Sequence, residues 1–402
     1  RTDRYFSAFA NLAYTFNDRY SISGSFRIDA SNFITDDPAY RYSPFWSVGT
    51  SWNMMNEEFM ESIEVIDQLK PRITFGCNGN SDSSTSLIPL IGMNGYNQTT
   101  GELEAEISSK GNPTLRWERT NTLNFGIDYS FFCSKLYGKI DYYYKHGKDI
   151  LADVAIPIVN GAESALINNA EITNHGIEFQ IGSRLNITND LIWDSNIVFS
   201  YNKNKVKKLL VTSMPYWWLS GEGTGQQYIE GKPINSLYSY IYGGMKNMGT
   251  ADSPKILPVV NLIGDEYMPF DGSTNYDGLD FLKYQGTKVA PYDIGMTHTF
   301  SYKGIDLSFT FTGKFGHVFR RTGFNYPGRG NIPNAQLSEI IGADPNEVVP
   351  MPYQDTDNLS YWNKANYLSY LTTNAFSIRM QELTLSYSLP IKYIHSTGMN
   401  RL

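Results

Sequence analysis

Five histidines, His146, His175, His298, His317 and His395, are the side chains of this sequence best suited to hold a metal or move a proton, and their spacing suits neither task. No two stand as a His-x-x-x-His pair, and a metal site needs convergent ligands. His298 falls among aromatics on an alternating segment and reads as a boundary residue. GEGTGQ (221–226) is rich in glycine but lacks the Lys-Ser/Thr of a phosphate loop, so it reads as a flexible loop. No arrangement of Ser, His and acid can be assembled. The paired carboxylates Glu57 and Glu58 open a predicted short helix over 56–64, where they favour its positive end. Cys77 and Cys133 have no metal-binding spacing. A disulfide between them is opposed by their expected positions, one near the outer end of a strand and the other in a turn a membrane thickness away. These residues point to no enzyme, no metal and no cofactor.

Aromatic clusters are the better candidates. Tyr216, Trp217 and Trp218 stand together within 204–234; Tyr361 and Trp362 stand beside Asn363 and Asn366 within 317–374. Flat rings next to amides can hold sugar rings or peptide side chains, or touch a partner lid, with ring area giving affinity and polar groups giving orientation. The plainer reading is that these rings pack their own loops or form an aromatic girdle.

The elements that would carry these loops are strands. Tyr20, Ile22, Gly24, Phe26 and Ile28 alternate with Ser21, Ser23, Ser25, Arg27 and Asp29; Leu123, Phe125, Ile127 and Tyr129, and again Ile305, Leu307, Phe309 and Phe311, alternate with polar or small residues. One apolar and one polar face define a half-buried strand. The predicted strands are 4–16, 19–30, 43–54, 68–79, 118–131, 135–148, 172–185, 191–203, 291–302, 305–316 and 375–389, with a bulge near Met380–Leu383. Twelve such residues, at about 3.3 Å each and a tilt of about 40°, rise roughly 30 Å, the thickness of a hydrocarbon core. Short turns at Asn17–Asp18, Cys133–Ser134, Thr188–Asn189 and Lys303–Gly304 alternate with long segments at 31–42, 80–117, 149–171, 204–290 and 317–374. Barrels of outer membranes show this asymmetry. Parity demands an even number of crossings within 204–290, so NSLYSYIYGGM (235–245) is half of a hairpin above the membrane or of a paired crossing. Aromatics at 14% and charged residues at 18% suit such a wall better than a soluble enzyme. The acidic balance, net −7, and the lack of a basic run argue against nucleic acid.

Specific strings then resemble one family. PFWSVGTSWNMMNEEFM (44–60), LKPRITFGCNGN (69–80), GNPTLRWERTNTLNFGIDY (111–129), KIDYYYKHGKDIL (139–151), NHGIEFQIG (174–182), WDSNIVFSYNKNKV (193–206) and QELTLSYSLP (381–390) follow, in order, the pattern of SusC/RagA-type TonB-dependent transporters. The match weakens over 207–290, chiefly to GKPINSLYSY (231–240), and Cys77 and Cys133 depart from it. The resemblance implies an all-β transmembrane antiparallel barrel, with 1–402 forming about 11 or more strands of one larger barrel domain. The N-terminal plug and the final strands are expected outside this stretch. It further implies a multi-pass protein of the outer membrane of a Bacteroidota-type Gram-negative cell, in contact with its lipids. Expected partners are a SusD-like surface lipoprotein, the TonB complex acting through the plug, and a glycan or peptide substrate. Rival readings are a non-transporting barrel (adhesin or passive channel) and a soluble secreted carbohydrate-binding β protein.

Overall fold

The computed structural model describes residues 4–32, 35, 41–81, 88–112, 114–157, 159, 164–211, 219–221, 228–247, 249–254, 256–261, 267–269, 282–321 and 366–389. Eleven of its strands form one antiparallel sheet: β1 (Tyr5–Phe16), β2 (Tyr20–Ser31), β3 (Tyr42–Trp52), β4 (Ile66–Asn80), β5 (Glu118–Phe131), β6 (Leu136–Ala155), β7 (Ser164–Asn186), β8 (Leu191–Leu209), β9 (Tyr292–Tyr302), β10 (Ile305–Phe315) and β11 (Ser377–Tyr387). Spatial order equals chain order throughout, a pure meander. All eleven predicted wall strands are present.

The short turns follow from local chemistry. Asn17 and Asp18 both have positive φ, 51° and 55°, and Lys303–Gly304 repeats this at 49° and 84°. Two successive left-handed residues match the twist of a tight hairpin, and Asn, Asp and Gly tolerate that conformation best. Phe132, Cys133 and Ser134 are all left-handed, and the resulting cup of N–H groups is filled by Asp67, whose carboxylate accepts from the amides of Cys133 and Ser134 at 3.1 and 2.8 Å.

The register explains the two faces. Directly opposed residues share a face, and the apolar positions line up across the sheet: Pro71, Ile127, Ile140, Phe179, Phe199 and Ile294 form one continuous row, and Ile73, Phe125, Tyr142, Ile177, Tyr201 and Tyr292 the next. Much of this belt is exposed, with Phe26, Leu123 and Phe125 all bare, and among the described residues no second sheet covers it. Such a bare apolar face argues against the soluble β-protein reading. Toward the short turns the belt ends in rings: Trp52 stacks on Tyr20, and Trp193 on Phe300 and His298. His298 accordingly belongs to an aromatic cluster and accepts from the Trp193 indole N–H at 3.3 Å.

Three expectations are corrected or refined. The helix over 56–64 is absent; two 3-10 turns, Met54–Asn56 and Glu58–Met60, stand there. Glu57 breaks the helix because its carboxylate turns back to the wall, accepting from the Tyr20 hydroxyl (2.6 Å), the Trp52 indole (3.0 Å) and Arg19 (3.1 Å). Those bonds hold the Glu57 carboxyl below the usual range, the Tyr20 hydroxyl contributing most. Second, β6, β7 and β8 run well past their predicted ends at 148, 172 and 203. The predicted bulge in β11 is real: Thr310 faces Glu382 and Phe311 faces Met380, leaving Gln381 as the extra residue.

The described residues of 210–291 contribute no strand to the wall, and β8 pairs directly with β9. Ser236–Tyr240 instead pairs with Leu282–Thr287, and Tyr242–Asn247 with Ile256–Asn261. The apolar piece 235–245 is therefore hairpin material on the long-loop side, one of the two alternatives that parity allowed.

Candidate functional site

All six residues singled out for substrate or lid contact, Tyr216, Trp217, Trp218, Tyr361, Trp362 and Asn363, lie outside the described residues, as do His395 and most of the 221–226 loop. The described part of the site consists of the polar face of the wall and the superstructure at its long-loop end.

The polar face carries paired charges. Arg72 on β4 reaches across β5 to Asp141 on β6 at 2.6 Å and also contacts Asp128 at 3.4 Å. The residue between them in register is Gly126, and a Cβ there would sit 2.6 Å from both the Arg72 guanidinium carbon and the Asp141 oxygen. Glycine is thus the spacer that lets an ion pair span two strand intervals. Further round, Lys139, Glu178, Gln180, Asp293, Lys314 and Arg379 line a concavity of about 860 Å3. Both signs of charge are present, with Lys314 at 3.5 Å from Asp293. Two glycines on this face, Gly176 and Gly182, are covered by the rings of Tyr143 and Tyr137. Such a face suits water and polar ligands, not acyl chains.

At the long-loop end the chain builds outward from the extended strands. Asn168 on β7 holds the 112–118 segment in place. Its amide accepts from the Arg116 N–H (2.9 Å) and donates to the Arg116 carbonyl (2.9 Å) and the Asp149 carbonyl (2.7 Å). Asn169 does the same for Val211, at 2.7 and 3.0 Å. Within GNPTLRWE (111–118), Asn112 accepts from Thr114 and donates to the Leu166 carbonyl, Leu115 is buried, and Trp117 packs edge-on against Phe45. Segment 228–235 lies along β8, with Gly231 and Lys232 exchanging backbone bonds with Val206. It covers an apolar cluster of Ala170, Ile172, Val206 and Leu209 with Tyr228 and Ile234.

A second knot centres on Arg320. Its guanidinium donates to the carbonyls of Ser220 (2.7 Å) and Tyr238 (2.5 Å) and lies over the Tyr367 ring at 5.0 Å. Tyr240 bonds the Tyr367 carbonyl, and Leu368, fully buried, bridges to Tyr240. Segments far apart in sequence, 219–221, 236–240, 318–321 and 366–374, are thereby joined. Burial and the neighbouring Tyr284 push the Tyr238 hydroxyl up to about 12, so it remains protonated.

A fully two-faced meander, apolar on its bare side and ionic on the other, with short turns at one end and a built superstructure at the other, is the wall of an outer-membrane β-barrel. The family model "TonB dependent receptor-like, beta-barrel" matches residues 1–242, more than half of the chain. The chain belongs to that family, whose members are receptors and transporters, not enzymes. It is 27% identical to TonB-dependent receptor P26 of Formosa agariphila, covering 98% of this chain and 40% of the relative. It is 26% identical to TonB-dependent receptor SusC of Bacteroides thetaiotaomicron, over 95% of this chain and 37% of that one. Among solved structures, the RagAB peptide transporter superposes with a TM-score of 0.74 at 23% identity, covering 98% of this chain and 42% of that one. The chain therefore spans about 40% of the length of the relatives it matches.

Proposed function

We propose that the whole protein imports a nutrient too large for passive pores, an oligosaccharide or a peptide, across the outer membrane with energy delivered through TonB. Residues 1–402 form part of a single barrel domain in this reading. The plug that contacts the TonB complex and the remaining strands lie in the part of the protein that this chain does not span. A SusD-like surface lipoprotein is the expected lid. The observation that carries the reading is the polar, mixed-charge face around Lys139, Glu178, Asp293, Lys314 and Arg379, set below a hydrogen-bonded superstructure on the same end as the long loops. Both signs of charge suit a zwitterionic chain, and the solved structure that this wall resembles is that of the RagAB peptide transporter. An uncharged glycan would rely more on Tyr216, Trp217, Trp218, Tyr361, Trp362 and Asn363, which stay proposed contacts. A non-transporting barrel, adhesin or passive channel, is the rival.

Deleting the full gene and measuring growth and uptake on defined glycans and on defined peptides tests this. Loss on one substrate class, reproduced by disabling TonB, supports active import and names the class. Undiminished growth on every substrate, or uptake indifferent to TonB, favours the rival.

A further inference from the structure

The outward face changes character at one height. The apolar rows of β6, β8 and β9 end in Tyr144, Tyr201 and Tyr292. Immediately above, on the same face, stand Arg119 on β5, His146 and Lys148 on β6, His175 on β7, and Lys203, Lys205 and Lys208 on β8, with Lys207 at the bulge between Val206 and Lys208. The pairing draws them together: Arg119 faces Lys148, His175 faces Lys203, and Thr173 faces both His146 and Lys205. The stripe crosses four strands, about 15 Å at about 4.8 Å per interval. KNKVKK (203–208) is thus a basic cluster after all, in a chain whose net charge is −7. The alternation of strand residues is what puts Lys203 and Lys205 on one side.

Height decides what these cations meet. From Leu191, beside the short turn, to Lys203 the strand climbs about 30 Å at a tilt of about 40°, so the first lysine stands where acyl chains give way to headgroups. Arg119, Lys148, Lys203, Lys205, Lys207 and Lys208 are exposed. The stripe holds a single carboxylate, Glu171, already engaged by His146 at 3.1 Å and Lys207 at 3.8 Å. Among the described residues none of the other five cations lies within ion-pairing distance of an acid. The lumen side of the same strand tips is covered by the apolar Val206, Ile172 and Tyr228.

We propose that this stripe binds the phosphate groups of an anionic lipid in the outer leaflet, with Lys203, Lys205 and Lys208 as the principal cations and Tyr144 and Tyr201 marking the headgroup–acyl boundary. The binding is independent of the transported substrate. The test uses the full-length receptor in detergent, incubated with lipid A or with enzymatically dephosphorylated lipid A, and reads retained lipid by native mass spectrometry. Wild type retains the phosphorylated form at least about five-fold better than the dephosphorylated one, and that advantage vanishes in about 1 M salt, where the screening length is about 3 Å. The K203Q/K205Q/K208Q variant loses the same advantage. Equal retention of the two lipids by wild type, which needs no variant to fold, overturns the proposal. So does unchanged retention by a folded triple variant, including the case in which that variant instead loses a copurifying acidic protein.

Discussion

At the residue scale, one position matters because it has no side chain. Gly126 lets Arg72 cross β5 to reach Asp141, which is itself buried. Gly126→Val blocks that crossing, and we expect a loss of about 1.5–3 kcal/mol, the worth of a hydrogen bond to a charged group. The urea midpoint of the refolded barrel, read by heat-modifiable gel mobility, checks it, and a midpoint equal to wild type contradicts it. Glu57 is the other position with several dependants, because Tyr20, Trp52 and Arg19 all converge on it. Its carboxyl is held below the usual range, so its contribution is complete above the unfolded value of about 4.3 and disappears as pH falls through the lower folded value. Glu57→Gln is therefore expected to lower thermal stability at pH 7 and to converge with wild type as the pH falls through the lowered folded value. Parallel melting curves across that range would refute the assignment. Glu171, outside the membrane, behaves in the same direction: burial pushes its carboxyl up, but the His146 hydrogen bond and the nearby cations outweigh this and hold it low.

At the element scale, the strands are of two kinds. β1 and β11 are exposed along their whole length and have one neighbour each among the described residues. β6, β7 and β8 have two neighbours and stay paired beyond the membrane, where the Asn168 and Asn169 side chains tie adjoining segments to them. Asn168→Ala leaves the Arg116 amide and carbonyl without that partner. We expect about 1–3 kcal/mol lost locally, with faster amide exchange across 112–118 and no change in the wall strands. Uniform loss of protection along β5 would show that this segment and the wall open as one unit. The ends of β6–β8 could not be read from alternation, because above the membrane both faces of a strand meet protein or water. The period-two pattern then breaks, as in ASN-rich 164–171 (SALINNAE).

At the scale of the whole molecule, the sidedness of the sheet predicts an asymmetric response to charge. Ile127→Arg places a cation on the apolar row and is expected to cost about 2–4 kcal/mol near the midplane, whereas Thr297→Arg, on the lumen face, is expected to be tolerated. Folding yields into vesicles compare the two. Equal penalties would mean that the face assigned to acyl chains is wrong. Family membership and outer-membrane placement agree with this sidedness, since the rows through Pro71 and Ile73 run from β4 to β9 with the register shifts lying only at the strand ends.

What the order of residues determined alone was the wall: eleven strands, their turns, the bulge at Gln381 and which side faces lipid. Each of those follows from local rules, the period of two, the tolerance of Asn, Asp and Gly for left-handed backbone, and the thickness of a hydrocarbon layer. Tertiary structure alone decided the rest. Glu57 leaving its helix for two wall residues and Arg19 of the first turn, Gly126 serving an ion pair, Arg320 joining segments a hundred residues apart, and lysines gathering above a ring of tyrosines all depend on neighbours distant in the chain. Pairing between such neighbours is set by the register of whole strands, and no single segment contains it.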